Sequence, residues 1–156
     1  MSGPLRSWDI FIDLHWRNIA NAKDLTLIKT ITKKYGWKTK LDFQGRLVKE
    51  KKVIIITDIA QNIVFASNNV HSMTGYFPDE ITSNTPRMFQ GKETSLHAKM
   101  AIKNAIEQLS PFCTSLINYR KDGSTYNCEI EGIPIKNKAN QYTHFVAFEK
   151  QIYGMS

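Results

Sequence analysis

The sequence contains few cysteines, and their placement excludes several kinds of site. The two cysteines, Cys113 and Cys128, are far apart and form neither a CxxC motif nor the framework of a disulfide-rich scaffold. No other set of His, Cys, Asp and Glu residues has the spacing of metal ligands. We therefore expect two free thiols in a reducing compartment, and no metal site.

Long apolar runs are also missing. No stretch approaches the roughly 20 consecutive apolar residues that span a bilayer. Residues 1–9 lack the continuous apolar segment and small-residue cleavage site of a secretory signal. These two absences predict a cytoplasmic domain.

Motifs that support catalysis are not found either. The chain has no Gly-rich phosphate-binding loop and no nucleophile elbow with a Ser, His and Asp order around it. The sequence therefore predicts a binding or signalling module without enzymatic activity.

Positive charge is plentiful and unevenly distributed. The 156-residue chain has a net charge of +7, and residues 23–52 contain ten basic and three acidic residues. This stretch alone accounts for the net charge, and such a stretch can attract nucleic acid or an acidic partner. Nine of its ten basic residues are lysines, which is more typical of a solvated surface than of a base-stacking groove. A nucleic-acid-binding protein that uses residues 23–52 remains an alternative.

The N-terminal third shows helical periodicity. Apolar residues recur at three- and four-residue spacings over residues 7–20 and again over residues 24–35. Lys33 and Lys34 complement a helix dipole at the end of the second stretch, and Gly36 is a natural stop. We predict two amphipathic helices followed by a polar connector over residues 37–52, whose only apolar anchors are Leu41, Phe43 and Leu47. The apolar faces between Trp8 and Tyr35 need a partner surface, which is either the domain's own sheet or another subunit, and we expect a homodimer or a signalling partner protein there.

The pattern of residues 53–148 predicts an α+β domain. Two β-branched runs at residues 53–58 and 63–66 read as a hairpin whose first strand is buried on both faces. Short helical pieces follow at residues 70–74, 78–81 and 85–90, and then a longer helix at residues 95–109. Three further strands are expected at residues 112–119, 126–135 and 144–148. Helices packed against one antiparallel sheet are typical of the α+β class.

Four motifs carry a resemblance to a known family: "ITD" at 56–58, "MTGY" at 73–76, "RMFQGKET" at 87–94 and "NYRKDG" at 118–123. Together they resemble the PAS domains, and specifically the light-oxygen-voltage (LOV) branch that binds flavin mononucleotide (FMN). The resemblance covers residues 53–149. It implies a PAS fold: a five-stranded antiparallel sheet with flanking helices around a ligand. We expect an N-terminal helical extension and basic connector at 1–48 and the PAS domain at 49–152.

The resemblance also implies a ligand-binding site at six positions. Three keep the residue of the LOV pattern: Arg87, Gln90 and Asn118. Three depart from it. Lys103 stands for an arginine and loses its bidentate fork. Cys128 stands for an asparagine and is a weak hydrogen-bonding group. Glu149 stands for a glutamine and, when ionised, presents only acceptors to a ring carbonyl.

The same comparison bears on the cofactor. Pro86 stands where the photoactive cysteine of LOV domains is found, so a flavin–cysteinyl adduct is excluded. The changes at Cys128 and Glu149 weigh against FMN, and a cysteine-less FMN photosensor remains an alternative. Haem is not expected, since neither His71 nor His97 has a supporting feature. The resemblance therefore implies a sensory module that binds a small molecule or a protein partner and delivers its output in trans.

Overall fold

A five-stranded antiparallel sheet organises the molecule. The computed structural model describes residues 3–153, with side chains described from Ser7 onward. The strands lie in the order β2-β1-β5-β4-β3. Their bounds are Val53–Asp58 (β1), Ile63–Ala66 (β2), Phe112–Tyr119 (β3), Thr125–Lys136 (β4) and Tyr142–Ile152 (β5). The predicted α+β class, with its five-stranded sheet, flanking helices and N-terminal helical extension, is confirmed.

Each face of the sheet is covered. Successive side chains on a strand point to opposite faces, so β1 sends Ile55 to one core cluster and Ile54 and Ile56 to another. This is why the run from Val53 to Thr57 is buried throughout, although the strand alternates. We call the face of Ile55 the inner face and the face of Ile54 the outer face. β5, at the centre of the sheet, contributes to both.

Short helical elements cover the inner face. They are α2 (Val70–Thr74), α3 (Pro78–Ile81), a 3₁₀ turn (Pro86–Phe89) and α4 (Leu96–Glu107). Gly75 ends α2 with a φ of 80°, in the left-handed region that glycine adopts without strain. The Ser95 hydroxyl caps α4 by accepting a hydrogen bond from the backbone N–H of Ala98.

The N-terminal extension is one helix, α1 (Gly3–Lys34). The prediction of two helices was wrong, because residues 20–24 contain no Gly or Pro that would end the first one. The second half of α1 packs on the outer face through Ile28, which is 2% exposed. Asp24 fixes it further by accepting a 2.8 Å hydrogen bond from the backbone N–H of Asn68. No helix among residues 3–153 is long and apolar enough to cross a bilayer.

The connector after α1 is more than a polar linker. Trp37 and Leu47 are buried in the outer-face cluster with Ile28, and a π-helical turn spans Gly45–Lys49. The indole N–H of Trp37 donates to Nδ1 of His144 on β5 at 3.2 Å. The chain from α1 to β1 thus lies against the outer face of the sheet.

Candidate ligand-binding site

A small cavity lies between the inner face of the sheet and the covering helices. Its volume is about 70 Å³. Its walls are mainly aliphatic and aromatic, and a few polar side chains join them: Thr57, Gln61, Gln90, Asn118 and Glu149. An apolar hollow with a small number of convergent polar groups is the usual form of a small-molecule site.

Four of the six residues expected at the ligand site lie in or beside the cavity. Asn118, Gln90 and Glu149 line the cavity. Cys128 is buried beside it, with its Sγ 3.6 Å from Oε2 of Glu149.

The two cations of the expected site lie elsewhere. Arg87 is exposed on the 3₁₀ turn and Lys103 is exposed on α4. Lys103 pairs with Glu107 at 3.9 Å, one helical turn away. Neither lines the cavity, so no positive charge reaches its interior from these two positions.

Glu149 is the residue whose environment is most unusual. It lies on β5 opposite Val53 and Ile130, and 5% of its surface is exposed. Burial raises the pKa of its carboxyl to about 7, and the Cys128 thiol opposes that shift only partly. Burial and the nearby Glu149 carboxylate also raise the pKa of Cys128, so the thiol stays protonated and donates to Glu149.

Two polar groups of the cavity were missed by the sequence analysis. The Thr57 hydroxyl and the Gln61 amide nitrogen are buried without a hydrogen-bond partner in the described part of the chain. Thr57 lies two residues after Ile55 on β1, so both side chains point to the inner face. The alternation of the strand could have predicted this position. Gln61 lies in the β1–β2 turn at a φ of 71°, and no sequence signal indicated its inward position.

Neither a metal nor a haem site is supported within the described residues. No group of three or more His, Cys, Asp and Glu side chains converges there. His71 is exposed and stacks on Phe77, and His97 is exposed on α4. Neither histidine lines the cavity.

Two of the ten basic residues at 23–52 form ion pairs with acidic side chains. Arg46 pairs with Glu131 at 2.9 Å, and Lys52 pairs with Glu50 at 3.5 Å. Lys23, Lys29 and the remaining lysines of the stretch are exposed on α1 and on the connector. Nucleic-acid binding by this stretch stays a prediction.

The comparisons with known proteins identify the family. The family model described as "PAS domain" matches residues 51–152, which include the whole sheet. The chain belongs to the PAS domain family. The predicted resemblance to its LOV branch is confirmed by relatives and by solved structures.

This PAS domain is 37% identical over 93 residues to Protein TWIN LOV 1 of Arabidopsis thaliana, a match that covers 59% of this chain and 23% of the relative. It is 30% identical over 102 residues to the Blue-light photoreceptor of Listeria monocytogenes, a match that covers 64% of this chain and 40% of the relative. The chain therefore spans less than half the length of these relatives. The dark structure of the blue-light photoreceptor Aureochrome1 LOV superposes with a TM-score of 0.67 at 26% identity, covering 74% of this chain and 86% of that one.

A flavin does not fit the cavity of this PAS domain. Pockets for ligands of that size occupy about 300–1,000 Å³, whereas this one measures about 70 Å³. Glu149 lines the cavity where the LOV pattern has a glutamine, and an ionised carboxylate presents only acceptors to a ring carbonyl. The site residues therefore favour a much smaller ligand of different charge.

Proposed function

We propose that this chain is a sensory PAS module whose signal begins with a small molecule in the inner-face cavity. Its output passes through α1 to a partner protein in trans. The relatives support the sensory class, because they include a protein named as a photoreceptor. We propose a cytoplasmic location and no catalytic step, as the sequence predicts.

The observation that carries this proposal is the position of β5. Ala147 and Glu149 line the cavity, whereas Val146 and Phe148 belong to the outer-face cluster that holds Ile28 of α1. A strand that tilts to admit a ligand on one face must repack its other face, because protein interiors are close-packed. The cavity and α1 are thus separated by the thickness of one strand.

A side chain that fills the cavity should imitate a bound ligand. We expect Ala147→Leu to change the hydrogen-exchange protection of α1 amides in residues 24–34 at least about threefold, since β5 must shift to admit the larger side chain. The matched control is Ala101→Leu, which adds the same atoms at an exposed position of α4. Exchange mass spectrometry at peptide resolution makes the measurement. Equal exchange of α1 in both variants and the wild type would rule out the proposed coupling.

Assembly through α1 forms the second part of the proposal. The first half of the helix exposes seven large apolar side chains: Trp8, Ile10, Phe11, Ile12, Leu14, Trp16 and Ile19. Residues 7–19 carry two acidic residues and one arginine, whereas residues 20–34 carry four lysines and one acidic residue. A second copy that runs antiparallel sets the acidic half of one helix against the basic half of the other. We therefore propose a homodimer.

Charged substitutions can identify the dimer face. Ile12 and Trp16 lie one turn apart on one side of α1, and Ile10 and Leu14 lie one turn apart on another. The side of Ile12 and Trp16 also carries Trp8 and Ile19, so we expect Ile12→Glu/Trp16→Glu to weaken the dimer at least tenfold. Ile10→Glu/Leu14→Glu should weaken it much less. Sedimentation velocity over a concentration series reports the oligomeric state. A wild-type protein that is still monomeric at about 100 μM would contradict the homodimer.

A further inference from the structure

The cavity contains one charged side chain and no counter-ion for it. Glu149 is the single ionisable side chain among the described residues that line the cavity. No Lys, Arg or His among residues 7–153 forms an ion pair with it. Lys150 follows it in sequence but lies on the opposite face of β5 and pairs with Glu129 at 3.7 Å. Burying a carboxylate without a counter-ion costs free energy. A bound cation that pairs with Glu149 would remove that cost.

The groups next to Glu149 do not supply that partner. Cys128 approaches it at 3.6 Å with a weak thiol donor. The Tyr126 side chain, on the same strand as Cys128, is also buried. Burial raises the pKa of both groups, so both stay neutral, and Glu149 sets the charge of this end of the cavity.

The remaining walls restrict the class of ligand. No cationic side chain lines the cavity, which disfavours phosphates and carboxylates. Divalent metal ions favour several carboxylate oxygens, whereas Glu149 is the single carboxylate among the described residues that line the cavity. Ile55, Ile130 and Ala147 supply apolar walls that suit a carbon skeleton. A hollow of about 70 Å³ admits a molecule of a few non-hydrogen atoms.

We propose that the cavity binds a small organic cation whose N–H groups donate to the Glu149 carboxylate. An amidinium or a short alkylammonium group has this chemistry. The charged head lies beside Glu149 and Cys128, and the carbon atoms contact the apolar walls. This inference rests on the proposed function, because it names the class of molecule that the sensory cavity receives.

The test compares three molecules of the same shape and different charge. Acetamidinium is a cation, acetamide is neutral and acetate is an anion. Each is added to ¹⁵N-labelled full chain at pH 8, where Glu149 is mostly ionised, with sodium chloride holding the ionic strength constant. We expect acetamidinium to shift the amides around Glu149 and Ile130, with a millimolar Kd at least tenfold lower than that of acetamide. Acetate should leave them unshifted.

Two carboxylate variants separate this site from general charge effects. Glu149→Gln should weaken acetamidinium binding at least tenfold and leave acetamide binding unchanged. Glu129→Gln, on the neighbouring strand and paired with the exposed Lys150, should bind acetamidinium like the wild type. Binding should also weaken at least tenfold at pH 5.5, because a carboxyl with a pKa of about 7 is then mostly protonated.

The outcomes distinguish this inference from the function on which it rests. Acetamidinium that binds no better than acetamide, or equally well to Glu149→Gln, overturns the cation assignment. The acetamide titration of the same sample reports whether the hollow accepts a neutral guest. Acetamide shifts at cavity residues would keep the ligand cavity and reject only the cation. The absence of shifts with both acetamidinium and acetamide would reject both.

Discussion

Glu149→Gln is expected to stabilise the protein at pH 8 by roughly 3–4 kcal/mol and at pH 5 by only about 1 kcal/mol. The pKa of Glu149 is about 7 in the folded chain, and an unfolded glutamate titrates near 4.3. Between these values the folded state holds a proton that the unfolded state has lost. The unfolding free energy therefore falls as the pH rises through this window, and it levels off above pH 7. Glutamine keeps the shape of the protonated acid and carries no charge.

Urea denaturation at pH 5, 6, 7 and 8 measures this difference. His144 contributes with the opposite sign, since burial lowers its pKa and the native state loses stability as the pH falls below about 6.5. The comparison of wild type with Glu149→Gln cancels the His144 contribution, because both proteins contain it. Glu129→Gln is the matched control, and its half-buried, Lys150-paired carboxylate should give a difference within about 0.5 kcal/mol at every pH. A constant difference for Glu149→Gln across the range would contradict the buried, unpaired carboxyl.

Ile28→Ala is expected to lower the unfolding free energy by about 2–5 kcal/mol. Ile28 is 2% exposed and lies in the outer-face cluster with Val146 and Phe148, so its truncation leaves a cavity between α1 and the sheet. Leu27 is the matched control. It is the preceding residue of the same helix, it has the same number of carbon atoms and it is 44% exposed.

The same denaturation experiment separates these two variants. Leu27→Ala should cost less than about 1 kcal/mol, since surface substitutions have small effects. Ile28→Ala should also raise hydrogen exchange over residues 24–34, because the helix loses its anchor on the sheet. Equal losses for the two variants would show that α1 does not dock on the outer face, and the proposed route from cavity to α1 would be lost with it.

Much of this fold could be predicted because its local signals agree with one another. The β-branched runs that form β1 and β2 predicted the two strands and the hairpin between them. Asn118 and Glu149 were found through the family resemblance, and strand alternation explains why both side chains enter the cavity.

Features that depend on tertiary packing could not be predicted. The continuity of α1 across residues 20–24 is decided by the absence of a helix breaker and by the docking of Ile28, which periodicity does not report. Trp37 is an anchor that the mostly polar pattern of the connector did not indicate, and only its packing on the outer face explains its burial. The outward position of Lys103 follows from how α4 lies over the sheet, and the size of the cavity follows from the same packing.

The measurement that tests the central claim most directly is the titration of the Glu149 carboxyl itself. Carbon-detected NMR of ¹³C-labelled protein follows each side-chain carboxyl carbon from pH 4 to pH 9. The resonance that is absent from Glu149→Gln identifies the residue. A buried carboxyl without a counter-ion should titrate with a midpoint near 7. A midpoint near 4.3, the value of a glutamate in water, would show that Glu149 is solvated or paired, and the ligand cavity described above would lose its defining charge.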